Sequence, residues 1–441
     1  MSKSARQTAF EILNKIQRDN SYSNLALDAV LEKTQAEAND KRLISAIVYG
    51  VIERKITLDY NIGLYLSQPI KKLKPQVLSI LRMGAYQILF MDKIPSSAAV
   101  NESVKLAKNN QAAFAAGLVN AVLHKIDKNG LVLPDEASAD YRSVKYSAPK
   151  KLISLWDDAY GTENTDRLFE ASFGAAQTAV RVNTLKTDCA ALIEKLADEG
   201  IEAHECGNVP DAVIISNGGA LYKTKAYADG MFHVQDIASQ LCCSALGVKE
   251  NDTVLDICSA PGGKSFTLAQ RMNGTGMIYA FDIYEHRLNL IRHGAERLGI
   301  TNIKTVKNDG AVFNPAVPKA DKILCDVPCA GLGVIRKKPE IRYRDTAEVD
   351  KLPDLQYSIL CTSAKYLKEN GVLVYSTCSL NPAENENVIT RFLKEHDNFE
   401  SIRVLTELKR FGENTDYISL MPHIHGSDGF FISAVRKLKD V

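Results

Sequence analysis

The apolar positions in the first part of the chain recur with the period of an α-helix. After Pro75, apolar side chains follow one another at spacings of three and four residues, and proline suits the first turn of a helix. The same spacing runs through residues 9–16, 43–52 and 118–126. These patterns predict an all-helical domain over residues 1–135.

Farther along the chain the pattern changes to short apolar runs. Strand-like runs at 179–182 and 212–215 alternate with amphipathic helices, which predicts a small α/β domain over residues 145–235. From residue 236 onward, β-rich runs alternate with helices, as in a parallel sheet that is covered on both faces. We therefore expect a third domain over residues 236–441. Its predicted strands are residues 253–257, 277–281, 303–306, 322–324 and 372–375.

Composition excludes several classes of protein. The chain has 441 residues, of which 45% are hydrophobic and 24% are charged, which is typical of folded domains and not of fibrous or disordered chains. No apolar run reaches the roughly 18 residues of a membrane helix, and the first residues lack the apolar core of a secretion signal. We expect a cytoplasmic protein without a membrane partner. The sequence leaves the oligomeric state open and is compatible with a monomer.

The net charge of +1 conceals a basic amino-terminal section. Residues 1–150 contain 21 Lys and Arg against 14 Asp and Glu, whereas the remainder contains 33 against 39. A basic helical domain is compatible with a polyanionic partner such as RNA. The same excess spread over 150 residues equally describes an ordinary solvated surface.

A glycine-rich loop follows the first strand of the predicted parallel sheet. The segment 256–265, Asp-Ile-Cys-Ser-Ala-Pro-Gly-Gly-Lys-Ser, lies between that strand and a predicted helix. Glycines let a ligand approach the backbone closely, and a helix amino terminus attracts an anionic group. A phosphate-binding P-loop requires glycine where this chain has Cys258, and the G-x-G-x-x-G pattern is absent. A nucleoside triphosphate is therefore not the expected ligand.

Three acids follow the next predicted strands, namely Asp282, Asp309 and Asp326. Asp282 is placed to accept hydrogen bonds from the ribose hydroxyls of an adenosine-containing cofactor. Acids beside a glycine loop suit S-adenosyl-L-methionine better than a dinucleotide, because its sulfonium is positively charged and it has no pyrophosphate. Any one of these acids is equally compatible with a turn or cap carboxylate, but their joint spacing favours a cofactor pocket.

Two cysteines, Cys329 and Cys378, follow the ends of the fourth and fifth predicted strands. Cysteine is often buried and inert, so packing is the alternative role. We expect no metal, because Cys325 and Cys329 have no second close pair or histidine to complete a zinc site. Residues 381–384, Asn-Pro-Ala-Glu, resemble a helix start, whose partial positive charge would favour a thiolate at Cys378.

A thiolate beside a methyl donor suits methylation at carbon 5 of a pyrimidine, which is a weak nucleophile. Addition of the thiolate at carbon 6 makes carbon 5 enamine-like. Methyl transfer, loss of the carbon 5 proton and elimination of the thiolate then regenerate the base, and a second thiol could assist the last steps. Asp326 could accept a hydrogen bond from the cytosine N4 amine, which uracil lacks, or stabilise a proton at N3.

Three segments, residues 256–264, 326–336 and 376–386, resemble the signature motifs of the Sun/nucleolar-protein family of RNA cytosine-C5 methyltransferases. Residues 6–13 and 114–123 are similar to a NusB-type RNA-binding domain, so the resemblance covers essentially the whole chain. It implies an α/β Rossmann-like class I methyltransferase with a mixed, mostly parallel sheet. An all-helical NusB-like domain and a small α/β domain would precede it.

The resemblance implies that the protein methylates a specific cytosine in 16S ribosomal RNA of the small subunit. It implies Cys378 as the nucleophile, Cys329 as the residue that assists product release, and Asp326 as a further catalytic residue. S-adenosyl-L-methionine would be the cofactor. The implied cofactor residues are Cys258, Ser259, Ala260, Pro261, Gly262, Gly263, Lys264, Asp282, Asp309 and Asp326.

Two alternatives remain at this point. The helical leader alone suggests an RNA-binding assembly or antitermination factor without catalysis. A methyltransferase that acts on amino groups would share the cofactor pocket but needs no thiol. Its usual Asp/Asn-Pro-Pro-aromatic motif is replaced here by Asp326-Val-Pro-Cys329, which counts against it.

Overall fold

The computed structural model describes residues 4–19, 23–31, 34, 36–216, 221–344, 346–404 and 416–439. The chain divides into two compact units. The first, called here the helical unit, contains residues up to Gly174 together with Ile335–Arg344. The second, the sheet unit, contains Ala175–Val334 and the chain from Asp345 onward. The division into three domains near residues 135–145 and 235 remains a prediction.

The helical unit is built from helices that bury one apolar face each. Pro75 occupies the first turn of α5, as predicted, and a Cβ atom at Gly84 of that helix would lie 2.4 Å from the Leu123 side chain of α7. Glycine therefore lets these two helices approach closely. The helices are α1 (Ala5–Asp19), α2 (Ser23–Leu31), α3 (Ala38–Glu53), α4 (Lys55–Gly63), α5 (Pro75–Phe90), α6 (Ser96–Asn109), α7 (Ala116–Asn129), α8 (Tyr141–Tyr146), α9 (Lys150–Tyr160) and α10 (Thr162–Ala171).

The segment Ile335–Arg344 belongs to the helical unit, although it begins only six residues after Cys329. Its Arg342 side chain is 2% exposed. The guanidinium donates hydrogen bonds to the Tyr146 carbonyl and the Ser172 hydroxyl, both at 3.2 Å. Hydrogen bonds from Nη1 and Nη2 offset part of the cost of burying this charge, so Arg342 anchors the segment in this core.

A smaller antiparallel sheet opens the sheet unit. Its strands are β1 (Thr178–Val182), β2 (Ala203–Glu205), β3 (Ala212–Ile215) and β4 (Phe232–Val234), in the order β2-β3-β1-β4. Helices α11 (Cys189–Asp198) and α12 (Lys225–Ala228) lie between these strands in the chain. The predicted strands at 179–182 and 212–215 are confirmed as β1 and β3, whereas β2 and β4 were not predicted.

The larger sheet has the order β10-β12-β9-β8-β5-β6-β7, and β11 pairs with β12. Strands β5 to β9 run parallel to one another, whereas β12 is antiparallel to β9, β10 and β11. The predicted mixed, mostly parallel sheet is therefore confirmed. Its strands are β5 (Thr253–Ile257), β6 (Met277–Asp282), β7 (Ile303–Lys307), β8 (Ala320–Asp326), β9 (Leu367–Thr377), β10 (Phe399–Ile402), β11 (Tyr417–Leu420) and β12 (Phe430–Lys437).

Helices precede the strands of this sheet or lie between them in the chain. They are α13 (Ile237–Leu246), α14 (Gly263–Arg271), α15 (Glu285–Leu298), α16 (Thr346–Val349), α17 (Leu352–Ala364), α18 (Glu386–Glu395) and α19 (Pro422–His425). Such a sheet gathers the carboxyl ends of its parallel strands along one edge, where ligands bind. Within the described part of the chain, no helix combines the length and apolarity that crossing a bilayer requires.

Replacing Arg342 with alanine should destabilise the helical unit by about 2–3 kcal/mol, because the Tyr146 and Ser172 acceptors lose a charged donor. Trp156, the only tryptophan of the chain, is buried in this unit, so its fluorescence during urea unfolding reports the change. The exposed Arg167→Ala variant should shift stability by less than about 0.5 kcal/mol. Equal effects of the two substitutions would contradict the anchoring role of Arg342.

Candidate active site

The glycine-rich loop joins β5 to α14, as the sequence predicted. Cys258 and Gly262 have positive φ angles of 63° and 109°. A Cβ atom at Gly262 would lie 2.6 Å from the Phe266 ring, so both conformation and packing require glycine there. The backbone nitrogen and the hydroxyl of Ser259 donate to the Phe281 carbonyl at 2.7 and 2.8 Å, which fixes the loop against β6.

Asp256 lies fully buried at the end of β5, beneath this loop. The Ser265 hydroxyl donates to its Oδ2 at 2.5 Å, and Oδ1 makes no hydrogen bond with the described part of the chain. Burial raises the pKa of Asp256 to about 7, and the Ser265 hydrogen bond and the Lys264 charge oppose that rise only in part. This carboxyl is therefore partly protonated near neutral pH.

Asp282 and Asp309 follow β6 and β7, and the structure shows what their carboxylates already contact. Asp282 is buried; its Oδ1 accepts from the Tyr284 nitrogen at 3.0 Å, and its Oδ2 lies 3.0 Å from Nη1 of Arg287. Asp309 is exposed and accepts from the Ala311 nitrogen at 2.9 Å. Both acids shape turns at strand ends, and their part in holding a cofactor remains a prediction.

Asp326 lies at the end of β8, and both of its carboxylate oxygens have a partner. Lys264 Nζ is 2.6 Å from Oδ2, and the Ser376 hydroxyl donates to Oδ1 at 2.9 Å. Burial lowers the pKa of Lys264, but the Asp326 carboxylate and two neighbouring cysteines together raise it by more, so the ammonium stays charged. Lys264 Nζ also lies 5.3 Å from the centroid of the Phe430 ring. One ammonium group and one hydroxyl group, supplied by different segments of the chain, thus fix the orientation of the Asp326 carboxylate.

Cys329 and Cys378 lie together at the ends of β8 and β9. Because these parallel strands pair Asp326 with Ser376, the residues that follow them emerge side by side. The two Sγ atoms are 3.2 Å apart. The hydrogen bond that the protonated Cys329 thiol can donate to Cys378, and the burial of the site, raise the pKa of Cys329 well above its ordinary value. Cys329 is therefore a protonated thiol at neutral pH.

The predicted helix start after Cys378 is only partly correct. The Asn381 side chain accepts from the Ala383 nitrogen at 3.2 Å, as a cap does. It caps only the three-residue 3₁₀ helix Pro382–Glu384, and α18 does not begin until Glu386. Asn385, whose φ and ψ angles are −113° and −100°, has a non-helical conformation and separates the two helices. The expectation that a helix dipole activates Cys378 from this start is therefore wrong.

Two side chains near the thiols make contacts that were not predicted from the sequence. Ser376 holds Asp326, and Glu384 accepts hydrogen bonds from the Ala330 nitrogen at 3.0 and 3.3 Å. Alternation along a strand could have revealed Ser376, because it shares a strand face with Cys378. No local signal reveals Glu384, because its partner is 54 residues away in the chain.

No group of three or more His, Cys, Asp or Glu side chains among the described residues is arranged to hold a metal ion. The geometry instead combines a strand-loop-helix, carboxylates at successive strand ends and two adjacent thiols. This fold and site define a class I methyltransferase.

Comparison with known proteins agrees with that class. A model for 16S rRNA methyltransferase RsmB/F matches residues 243–436. A NusB family model matches residues 3–128, and a ferredoxin-like domain model of RsmF/B-like methyltransferases matches residues 148–221. A Bacillus subtilis protein described as a probable ribosomal RNA small subunit methyltransferase B is 36% identical over 445 residues, covering 98% of this chain and 99% of that protein. The chain therefore belongs to the RsmB/F family of methyltransferases, which confirms the resemblance seen in its motifs.

Other relatives extend this agreement. The Escherichia coli ribosomal RNA small subunit methyltransferase B is 29% identical over 428 residues, covering 93% of this chain and 97% of that protein. The crystal structure of PH0851 is 26% identical, with a TM-score of 0.83 and coverage of 99% of this chain and 100% of that one. A methyltransferase homologue from Pyrococcus horikoshii is 29% identical, with a TM-score of 0.59, covering 67% of this chain and 98% of that one.

The cofactor of this class is S-adenosyl-L-methionine, as predicted. The residues present fit it. A Cβ atom at Gly310, the residue after Asp309, would lie 2.9 Å from the Ile257 side chain, so glycine lets the segment that carries Asp309 pack closely against the end of β5. The acids at the ends of β6, β7 and β8 suit a molecule that carries a sulfonium, an amine and ribose hydroxyls.

Asp256 should make the stability of the protein depend on pH. Its pKa is about 7 in the folded protein and about 4 in an unfolded chain, so its contribution is complete below about pH 4 and is lost as the pH rises toward 7. The Asp256→Asn variant has no carboxyl group to titrate at this position, so it does not lose stability in this way as the pH rises. Its free energy of unfolding relative to wild type should therefore rise by a few kcal/mol, roughly, between pH 4 and pH 7 and then level off.

Urea unfolding followed by circular dichroism at several pH values measures that difference. Other titrating groups cancel in the comparison of the two proteins. A difference that stays constant from pH 4 to pH 8 would show that Asp256 titrates normally.

Proposed function

We propose that the protein methylates carbon 5 of a cytosine in 16S ribosomal RNA, and that a cysteine adds transiently to carbon 6 of the base. The observation that carries this proposal is the 3.2 Å separation of the Cys329 and Cys378 sulfur atoms beside Asp326. The relatives named as ribosomal RNA small subunit methyltransferases supply the class of substrate. Methyl transfer to an amino nitrogen would require neither thiol.

In the proposed reaction, Cys378 forms a bond from its Sγ to carbon 6 of the cytosine. The electron pair of the ring then develops at carbon 5, which becomes nucleophilic enough to be methylated. After methyl transfer, the carbon 5 proton passes to a base, for which solvent water is available. The electron pair of the C5–H bond then forms the C5–C6 double bond, and the Sγ–C6 bond breaks with its electron pair on the Cys378 sulfur. Cys329, which holds its proton, is placed to return a proton to the departing Cys378 sulfur.

Asp326 is proposed to recognise the cytosine. Lys264 and Ser376 hold its two oxygens from opposite sides, and each oxygen keeps a lone pair for another donor. The N4 amine of cytosine supplies such a donor, whereas uracil presents an oxygen at the same place. A carboxylate that is fixed before the base arrives requires no reorganisation during the reaction.

The cofactor supplies an electrophilic methyl group when it is bound. The loop from Cys258 to Lys264 is proposed to contact it, with Asp282 and Asp309 at the neighbouring strand ends. The Cys258 and Gly262 backbone conformations already shape this loop, so binding orders few additional residues. Reaching a cytosine in structured RNA also requires that the base be unstacked, at a cost of a few kcal/mol, so a loop or an opened helix is the expected target.

Substitution of the two cysteines tests the mechanism. Replacing Cys378 with serine should abolish transfer of tritiated methyl groups to unmodified 16S RNA, because a hydroxyl is a far weaker nucleophile than a thiolate. Replacing Cys329 with serine should leave a protein–RNA adduct that survives denaturing electrophoresis, because release is impaired. Cys189 is far in the chain from the ends of β8 and β9, where the two thiols lie. Cys189→Ser is therefore the matched thiol control and should behave as wild type.

Nucleoside digestion identifies the product of the wild-type reaction. The proposal predicts label in 5-methylcytidine. Label confined to N-methylated bases, or full activity of Cys378→Ser, would refute it. If Cys378→Ser instead leaves every cellular activity unchanged, the noncatalytic RNA-binding alternative is favoured.

Replacing Asp326 with asparagine should lower kcat/KM for the RNA roughly 100-fold, because the amide carries no charge and loses its ion pair with Lys264. If Asp326 acts on the cytosine, the Kd for S-adenosyl-L-methionine should change less than about threefold. Calorimetric titration of the cofactor measures that Kd. A large loss of cofactor affinity with an otherwise intact turnover rate would assign Asp326 to the cofactor alone.

A further inference from the structure

A buried carboxylate joins the segments that carry the two thiols. Glu384 lies six residues after Cys378 and its side chain is fully buried. Its Oε1 and Oε2 accept from the Ala330 backbone nitrogen at 3.0 and 3.3 Å. Ala330 directly follows Cys329, so one side chain from the Cys378 segment holds the backbone next to the other thiol.

Glu384 is itself fixed from two sides. The Tyr375 hydroxyl, on the buried end of β9, donates to the Glu384 carbonyl at 2.6 Å. The Glu384 nitrogen donates to the Asn381 carbonyl at 2.9 Å, within the 3₁₀ helix. These two hydrogen bonds restrain the Glu384 backbone next to β9. Because the Glu384 side chain binds the Ala330 nitrogen, Ala330 is restrained relative to β9 as well.

The far end of the loop after Cys329 is also held. The Gly333 nitrogen donates to the Cys378 carbonyl at 2.9 Å, and the Gly429 nitrogen donates to the Gly333 carbonyl at 2.8 Å. A Cβ atom at Gly333 would lie 1.9 Å from the Gly429 carbonyl oxygen, so these backbones are in direct contact. The loop from Ala330 to Gly333 is thus hydrogen-bonded to the Cys378 segment at both ends. Of these two contacts, the one at Ala330 involves a side chain, and the one at Gly333 is between backbone atoms.

A buried carboxylate is costly unless hydrogen bonds offset the loss of hydration. A neutral amide would form the same hydrogen bond with Ala330 at less cost, so packing alone does not require glutamate here. The hold on the loop therefore depends on a hydrogen-bond acceptor that reaches the Ala330 nitrogen, which glutamate and glutamine both supply and alanine does not.

We propose that Glu384 is a positioning residue for the release step, because its hold on Ala330 keeps the Cys329 sulfur within reach of Cys378. The effect of Glu384 on release of the RNA rests on the proposed function. Its effect on the distance between the two thiols does not, and this geometric part is measurable without RNA.

The geometric part is tested by the rate at which the two thiols form a disulfide. Diamide, a thiol-oxidising diazene, takes up two protons and two electrons from the thiol pair and becomes a hydrazine, and peptide mass spectrometry identifies the Cys329–Cys378 bond. Glu384→Ala should form this disulfide at least tenfold more slowly than wild type, because the loop moves away. Glu384→Gln keeps an acceptor for Ala330 and should stay within about threefold of wild type.

The catalytic part is tested with RNA in the same variants. Glu384→Ala should accumulate the denaturant-resistant RNA adduct and lose at least tenfold in kcat, with KM for the RNA changed less than threefold. Glu384→Gln should restore most of kcat. Glu395→Ala, an exposed glutamate at the end of α18, is the control and should match wild type in both experiments.

Each outcome decides a different point. Disulfide formation in Glu384→Ala at the wild-type rate overturns the positioning role. A Glu384→Gln variant as defective as Glu384→Ala also overturns it, because charge and not position would then be required. If disulfide formation slows as expected but no variant, including Cys329→Ser, ever forms an RNA adduct, the geometric inference stands and the proposed function fails.

A second variant covers the case in which Glu384→Ala folds poorly, as judged by Trp156 fluorescence or circular dichroism. Glu384→Asp shortens the side chain that reaches Ala330, and it should slow disulfide formation to the same extent.

Discussion

The parallel pairing of β8 with β9 is the constraint on which the site depends. This pairing aligns Asp326 with Ser376, so the two strands end at the same level of the sheet. A shift of the register by one residue would turn every following side chain to the opposite face. The separation of the two thiols and the hydrogen bond from Ser376 to Asp326 both follow from this register. The sheet therefore brings the two segments that carry the thiols side by side, and loop contacts such as that of Glu384 with Ala330 then hold them there.

Much of this arrangement could be predicted from the sequence, because the relevant signals are local. The strands that carry the acids and cysteines are short β-rich runs, and their carboxyl ends must share one edge of a parallel sheet. The structure confirms β5 with its predicted bounds, and it extends β8 and β9 beyond the predicted residues 322–324 and 372–375. The helical period likewise predicted the opening of α5 at Pro75.

The features that were missed depend on contacts between distant parts of the chain. No role could be assigned to Arg342 from the sequence, because its partners Tyr146 and Ser172 lie far earlier in the chain. The bond between Glu384 and Ala330 is of the same kind. The cap at Asn381 was recognisable, yet the local pattern did not show that the backbone turns away at Asn385. Propensity indicates where an element begins, whereas tertiary contacts decide how far it continues.

The electrostatics of the thiol pair impose an order on the proposed reaction. Two sulfur atoms 3.2 Å apart do not both ionise, because a second negative charge would repel the first at close range in a buried site. While one sulfur is ionised, the other retains its proton, and the raised pKa of Cys329 assigns the proton to that residue. Once the Cys378 sulfur is bonded to carbon, it no longer carries the charge that disfavours ionisation of Cys329. The proton of Cys329 therefore becomes available only after the adduct has formed, which is when elimination of Cys378 from the methylated base requires it.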